Sequence, residues 1–282
     1  MIRRIRALLA SPRVCIITAL LVFIGLMFAR LINRLVYYPS IYPDGNWQLQ
    51  TRAGAQDTWV TTADGVRLNA WWFPSPGSPL ATLFLHGNAG NVTDRIDHAD
   101  AIKEAGSAVL VPDYRGYGKS SGRPGERGFY LDADAAYAAL LRFGYDPSHI
   151  ILQGESLGTA VAATLASRRA CAGLILESPL ASLSEMAGTM APIIGPLLVH
   201  GFDTKTTIKR VHSPLLVIHG DADEIVPFRQ GQAVFAEANS PKEFWHVPGA
   251  HHNDLLYAAG AEYVPRLRAF YNSLASARSH VL

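Results

Sequence analysis

The stretch Gly154-Glu155-Ser156-Leu157-Gly158 sets a serine between two glycines at alternate positions. A serine hydroxyl is a weak nucleophile until a base takes its proton. Used that way, it must stand on a sharp turn with Oγ exposed and neighbouring backbone close by, and flanking glycines permit both. The motif sits in "HIILQGES", a short apolar run, and an alanine-rich helical pattern over 157–168 follows it. Strand, turn and helix in that order are the context of a nucleophile elbow, whose helix N-terminus aims peptide N–H groups at developing negative charge. The serine needs a base, and the base needs an orienting acid. Histidines 251 and 252 adjoin in "PGAHHND", and "HGDADEIVP" offers Asp221, Asp223 and Glu224. The chain order is therefore serine, acid, histidine. Residue types alone leave open which acid and which histidine serve.

Elements that could bring these groups together are legible in the apolar pattern. "TWVTTADGVRLNAWWFP" reads as two short strands about the turn Asp64-Gly65. "ATLFLHG", "SAVLVPDYRG", "HIILQGES", "AGLILESP" and "SPLLVIHG" are short apolar runs that alternate with helical segments, among them 92–105, 127–143 and 157–168. This alternation predicts βαβ units, and so a mostly parallel central sheet with helices on both faces. Such sheets place ligands beyond the carboxyl ends of their strands, where the serine, the acids and the histidines all fall. Residues 182–212, with prolines at 192 and 196 and an apolar middle, interrupt the rhythm as a short insertion where a lid could cover a site. "DYRGYGKSSGRPGE" lacks the spacing of a phosphate-binding loop, and Arg115 is expected to anchor that turn by a salt bridge.

The chain has 282 residues, 49% apolar and 17% charged, ordinary globular proportions. Its net charge of +2 is uneven: the first 34 residues hold six arginines and no acid, leaving 19 basic against 23 acidic residues beyond them. That balance argues against nucleic acid as a partner. Cys15 and Cys171 fall in unlike settings and are not expected to pair. No Cys/His/Asp cluster has metal-ligand spacing, and no cofactor is called for. Val14 to Ala29 is an uncharged stretch flanked by arginines. At ~1.5 Å per residue it spans roughly 24 Å, enough for a single-pass anchor if Arg13 and Arg30 reach the interfaces. A cleaved signal peptide and a surface helix are the alternatives; the first lacks a good cleavage site, and the second a polar face. Four arginines before the run and two after it favour a catalytic domain on the non-cytoplasmic side. The expected organisation is an N-terminal transmembrane anchor over 1–35, a connector over 36–55 and one domain over 56–282.

Over about residues 56–275 the sequence resembles the α/β-hydrolase superfamily, most closely its single-pass membrane-anchored serine hydrolases with a serine-aminopeptidase-like or lysophospholipase-like domain. The features that carry this are "YYP" after the anchor, "HGNAGN", "DYRGYGKSSG", "GESLG", "HGDADEIVP" and "HHND". The resemblance implies the α/β-hydrolase fold with Ser156 as nucleophile, Asp223 as acid and His252 as base. It also implies an oxyanion hole built from the backbone N–H groups of Asn88 and Leu157. His251 stands where the family usually has a small residue. The implied activity is hydrolysis of carboxylic esters or thioesters, acyl or lipid-derived, by a membrane-bound enzyme. A peptidase or amidase of the same fold and a non-catalytic hydrolase-like binding protein are the alternatives.

Overall fold

The computed structural model describes Ile16 and residues 36–279. The chain divides into two units, residues 1–38 and 39–282, and the second carries every element below. Among the described residues no helix is long and apolar enough to cross a membrane. The apolar run of residues 14–29, Ile16 apart, lies outside them.

Eight strands form one sheet: β1 (Gln56–Thr61), β2 (Arg67–Phe73), β3 (Leu80–Leu85), β4 (Ser107–Pro112), β5 (Ile150–Glu155), β6 (Gly173–Glu177), β7 (Leu215–Gly220) and β8 (Lys242–Val247). Their spatial order is β8-β7-β6-β5-β3-β4-β2-β1. The pairs β1–β2 and β2–β4 run antiparallel, and every other pair is parallel. Every residue of β3, β4, β6 and β7 is buried, as expected where helices cover both faces. Edge strand β8 instead alternates, with Trp245 and Val247 inward.

Helix α1 (Ile96–Ala105) buries Ala99, Ile102 and Ala105 at helical spacing, and ends at Gly106, whose φ of 108° closes it as a left-handed cap. With α6 (Tyr263–Ser279) it covers one face, packing against Phe84, Val109, Val111, Ile175 and Ile218. Helices α2 (Glu126–Arg142) and α3 (Leu157–Ala166) pack together on the other face, and α5 (Phe228–Glu237) lies against β7. Each fully buried aliphatic side chain stabilises such a core by ~1.5–3 kcal/mol. In this strand order β3 lies between β5 and β4, so the crossover from β3 to β4 and the next, from β4 to β5, run in opposite directions across the sheet. That reversal opens a crevice beyond the carboxyl ends of β3 and β5.

Two segments outside the sheet matter for the site. Residues 39–55 lack periodicity, yet they are tied down. Ser40 N–H donates to Gly90 O at 3.0 Å, the Asn91 amide donates to Asp44 O at 2.9 Å, and the Trp47 ring meets Trp71 edge-on at 5.8 Å. The insertion after β6 is a helical hairpin. Ser182 caps α4 (Leu183–Met190), accepting Glu185 N–H at 3.0 Å, and a short helix, Gly195–Leu198, folds back on it. Its base is fixed by Phe202, buried beside Phe129 and Tyr130 with its N–H given to Glu126 Oε1 at 2.6 Å. Its tip leaves Ile193, Ile194 and Leu197 exposed.

Candidate active site

At the end of β5 the chain turns sharply into α3. Ser156 occupies the turn with φ 51° and ψ −119°, a conformation that strains any residue with a Cβ. Its N–H continues the ladder to Glu177 O at 2.9 Å, so the strain lies beyond a firmly paired strand. The flanking glycines are required by contact. A Cβ on Gly158 would overlap the carbonyls of Leu85 and His86, and one on Gly154 would overlap Gly158 itself. Helix α3 therefore starts directly over the ends of β5 and β3.

His252 reaches the serine from the loop after β8: its Nε2 lies 2.9 Å from Ser156 Oγ. Its Nδ1 lies 2.8 Å from Asp223 Oδ2, in the loop after β7. A carboxylate at Nδ1 fixes the proton there and leaves the Nε2 lone pair to accept from the serine hydroxyl. All three side chains are largely buried. Asp223 is held rigidly, for Oδ1 accepts the N–H groups of Ile225 at 3.0 Å and Val226 at 2.7 Å. Its Oδ2 also faces His219 Nε2 at 3.2 Å. Burial pushes this carboxyl up, but bonds from His219, His252 and Val226 outweigh it and hold Asp223 well below the usual carboxylate range.

The two expected oxyanion donors adjoin the elbow. Leu157 opens α3, in the turn whose N–H groups lack intrahelical acceptors. Asn88, half-buried, lies in the turn after β3, and its carbonyl accepts Tyr117 Oη at 2.8 Å. This turn runs tight against the serine: a Cβ on Gly87 would come 3.4 Å from Ser156 Cβ.

The remaining candidates sit elsewhere. Asp221 accepts Gly249 N–H at 2.6 Å and pairs with His246 at 2.9 Å. His251 turns outward to Glu224 at 3.1 Å. Arg115 grips Asp132 and Asp64, each at 2.8 Å, anchoring its turn. His86 is fully buried beneath the Asn88 turn, its Nδ1 2.7 Å from Gly87 O, and burial pushes its pKa down to about 3. Beside it Asp113, likewise buried, is pushed up to about 8. The two therefore face each other as a neutral pair, 3.6 Å apart. Among the described residues no group of three or more His, Cys, Asp or Glu could hold a metal ion.

His219 belongs to no motif and carries only the default expectation of a solvated or structurally bonded histidine; at the end of β7 it bonds Val226 O at 3.0 Å and stands four residues before Asp223. The sequence carries no sign of a cavity of ≈ 160 Å³ behind His252, lined by Arg95, His98, Glu155 and Glu177 among others. Glu177 pairs with His98 at 3.4 Å and accepts Tyr263 Oη at 2.8 Å. Glu155 was visible only as the variable position of the serine motif.

Sheet order, elbow and the serine–histidine–carboxylate chain together define the class: an α/β protein with a nucleophile-elbow site. Comparison with known proteins agrees. A family model described as the alpha/beta hydrolase fold matches residues 82–206. An uncharacterized protein of Mycobacterium tuberculosis is 40% identical over 248 residues, 86% of this chain and 88% of that protein. Alpha/beta hydrolase domain-containing protein 17B of Xenopus tropicalis is 35% identical over 231 residues, 80% of this chain and 78% of that one. Among solved structures, an esterase of Pyrococcus furiosus shares the fold with a TM-score of 0.69 at 23% identity, covering 84% of this chain and 98% of its own. The chain belongs to the α/β-hydrolase superfamily.

Proposed function

We propose that the protein is a serine hydrolase that cleaves carboxylic esters or thioesters of acyl chains through an acyl-enzyme. Ser156 Oγ attacks the acyl carbonyl while its proton passes to His252 Nε2, and Asp223 stabilises the imidazolium. The N–H groups of Asn88 and Leu157 hold the oxyanion; one such donor contributes roughly 3–4 kcal/mol of transition-state stabilisation. His252 then protonates the departing alkoxide or thiolate. A water that gives its proton to His252 attacks the acyl-serine, and the proton returns to Ser156 as the carboxylic acid leaves. The observation that carries this reading is the run of 2.9 and 2.8 Å contacts from Ser156 through His252 to Asp223. The name "esterase" borne by the Pyrococcus furiosus neighbour agrees with it.

An acyl or lipid-derived substrate is supported by the hairpin tip, where Ile193 is 82% and Leu197 71% exposed. The uncharged run of residues 14–29 supports a membrane tether, with the catalytic domain on the non-cytoplasmic side. A carbonate wash that releases the full chain from membranes would refute the tether. The hydrolase reading is tested with a fluorophosphonate probe and a series of p-nitrophenyl esters, thioesters and peptides, beside Ser156→Ala. Probe labelling at residue 156 and ester turnover, both lost in the folded variant, are expected. Full turnover by Ser156→Ala would end the proposal.

A further inference from the structure

One arginine joins the turn that carries Asn88 to the residue that precedes Ser156. Arg95 follows a single helical turn, Val92–Asp94, that is fixed by reciprocal caps: Asn91 Oδ1 accepts Thr93 N–H at 2.9 Å, and Asp94 Oδ2 accepts Asn91 N–H at 2.9 Å. From that base Arg95 Nη2 donates to Ala89 O at 2.8 Å and Nη1 to Asp94 O at 3.3 Å. Its Nε lies 3.2 Å from Glu155 Oε2, an ion pair by distance rather than an aligned hydrogen bond. The same Glu155 oxygen accepts Gly87 N–H at 3.4 Å. Asn88 thus lies between two secured neighbours, Gly87 held by Glu155 and Ala89 held by Arg95.

The pair also settles a charge. Glu155 is largely buried beside the nucleophile. Burial pushes its carboxyl up, but the positive charge of Arg95, the largest opposing influence, helps to hold it at about 2. Other groups bordering this region are Asp94, Asp97 and Tyr257 around the cavity mouth, Glu177 and Tyr263 from β6 and α6, His219 from β7, and Asp223, Glu224 and His251 from the loops after β7 and β8. Among all of these, Arg95 alone carries a permanent positive charge. Without it an ionised carboxylate would oppose the oxyanion and favour the imidazolium.

We propose that Arg95 is a positioning residue for the hydrolysis: it fixes the Asn88 N–H at the oxyanion through Ala89 and cancels the charge of Glu155. The proposal rests on the serine-hydrolase reading above. It calls for Arg95→Met, Arg95→Lys and the double variant Arg95→Met/Glu155→Gln. Each is assayed for kcat and KM on a soluble p-nitrophenyl ester per fluorophosphonate-titrated site, for the pH profile of kcat/KM, and for thermal melting. Arg95→Met should lower kcat about tenfold or more, because an oxyanion donor is displaced rather than deleted. Its KM should stay within about threefold, and the acid limb of its profile should move to higher pH. Lysine keeps the charge without the fork, so Arg95→Lys should restore the acid limb while kcat stays low. The double variant should likewise return the limb to the wild-type position. Wild-type kcat per site in Arg95→Met overturns the proposal. So does a loss that vanishes once inactive protein is titrated out, or an acid limb that moves identically in all three variants. Labelling of wild-type Ser156 checks the underlying reading separately: given that labelling, an unaffected Arg95→Met removes this inference alone.

Discussion

Replacing Asp223 by asparagine probes the site with almost no change of shape. Three donors converge on the Asp223 carboxylate, His252 Nδ1 at 2.8 Å and the N–H groups of Ile225 and Val226 at 3.0 and 2.7 Å, while His219 Nε2, bonded to Val226 O at 3.0 Å, lies 3.2 Å from Oδ2. An amide offers one acceptor oxygen and one NH₂, so neither rotamer satisfies that set. If the oxygen keeps the two backbone N–H groups, the NH₂ faces the imidazoles. His252 must then carry its proton on Nε2, where it points at Ser156 and can no longer accept. If the amide flips, the NH₂ is driven against two backbone N–H groups, leaving buried donors unpaired at ~1–3 kcal/mol each. The first outcome is the cheaper, and a wrong tautomer of this kind lowers kcat by about 10⁴, or ~5.4 kcal/mol of barrier. The assay is kcat on a p-nitrophenyl ester at pH 7, with the fluorophosphonate labelling rate as an independent measure of nucleophile activation. Asp221→Asn is the control; the Asp221 side chain bonds Gly249 and His246, away from Ser156 and His252, so its loss should change kcat less than about twofold. An Asp223→Asn variant keeping more than about a tenth of wild-type kcat would refute the tautomer argument.

Gly158→Ala should lower the melting temperature by about 6 °C or more, since its Cβ meets two carbonyls that cannot swing aside; unchanged melting by circular dichroism would count against the close crossing of α3 over β3. Asp113→Asn should melt higher than wild type at pH 8, by a margin that shrinks at pH 5. Asp113 holds its proton up to about 8 when folded, so the unfolded chain releases it first and stability falls as pH rises from about 4 toward 8, a dependence an amide removes. An equal shift at both pH values would contradict the neutral buried pair. Ile193→Ser/Leu197→Ser should reduce turnover of long-chain esters in vesicles about tenfold and leave a soluble acetate ester unaffected. Equal effects on both substrates would separate the hairpin tip from acyl recognition.

The sheet was legible because parallel strands buried on both faces are continuous apolar runs, and β3 through β7 all read that way. The elbow was legible for a different reason: a strained turn under a close helix crossing accepts little besides glycine around the serine. The choice of Asp223 over Asp221, and of His252 over His251, was not contained in residue types. It came from resemblance; in the structure His252 faces Asp223 and Ser156 while His251 pairs with Glu224 at 3.1 Å. Residues 36–55 read as a connector because their attachments run through scattered backbone groups, Trp47, Tyr42 and Ala55, which leave no periodic mark. The Arg95–Glu155 pair escaped notice because its partners lie 60 positions apart and neither belongs to an apolar pattern.

The backbone at Ser156 has a further consequence. A non-glycine residue held at φ 51° costs about 1–3 kcal/mol that glycine at the same place would largely avoid. The working molecule is therefore less robust than its own disabled version. Any screen that rewards thermal endurance alone would discard the hydroxyl at position 156 early, and only selection for turnover would keep it.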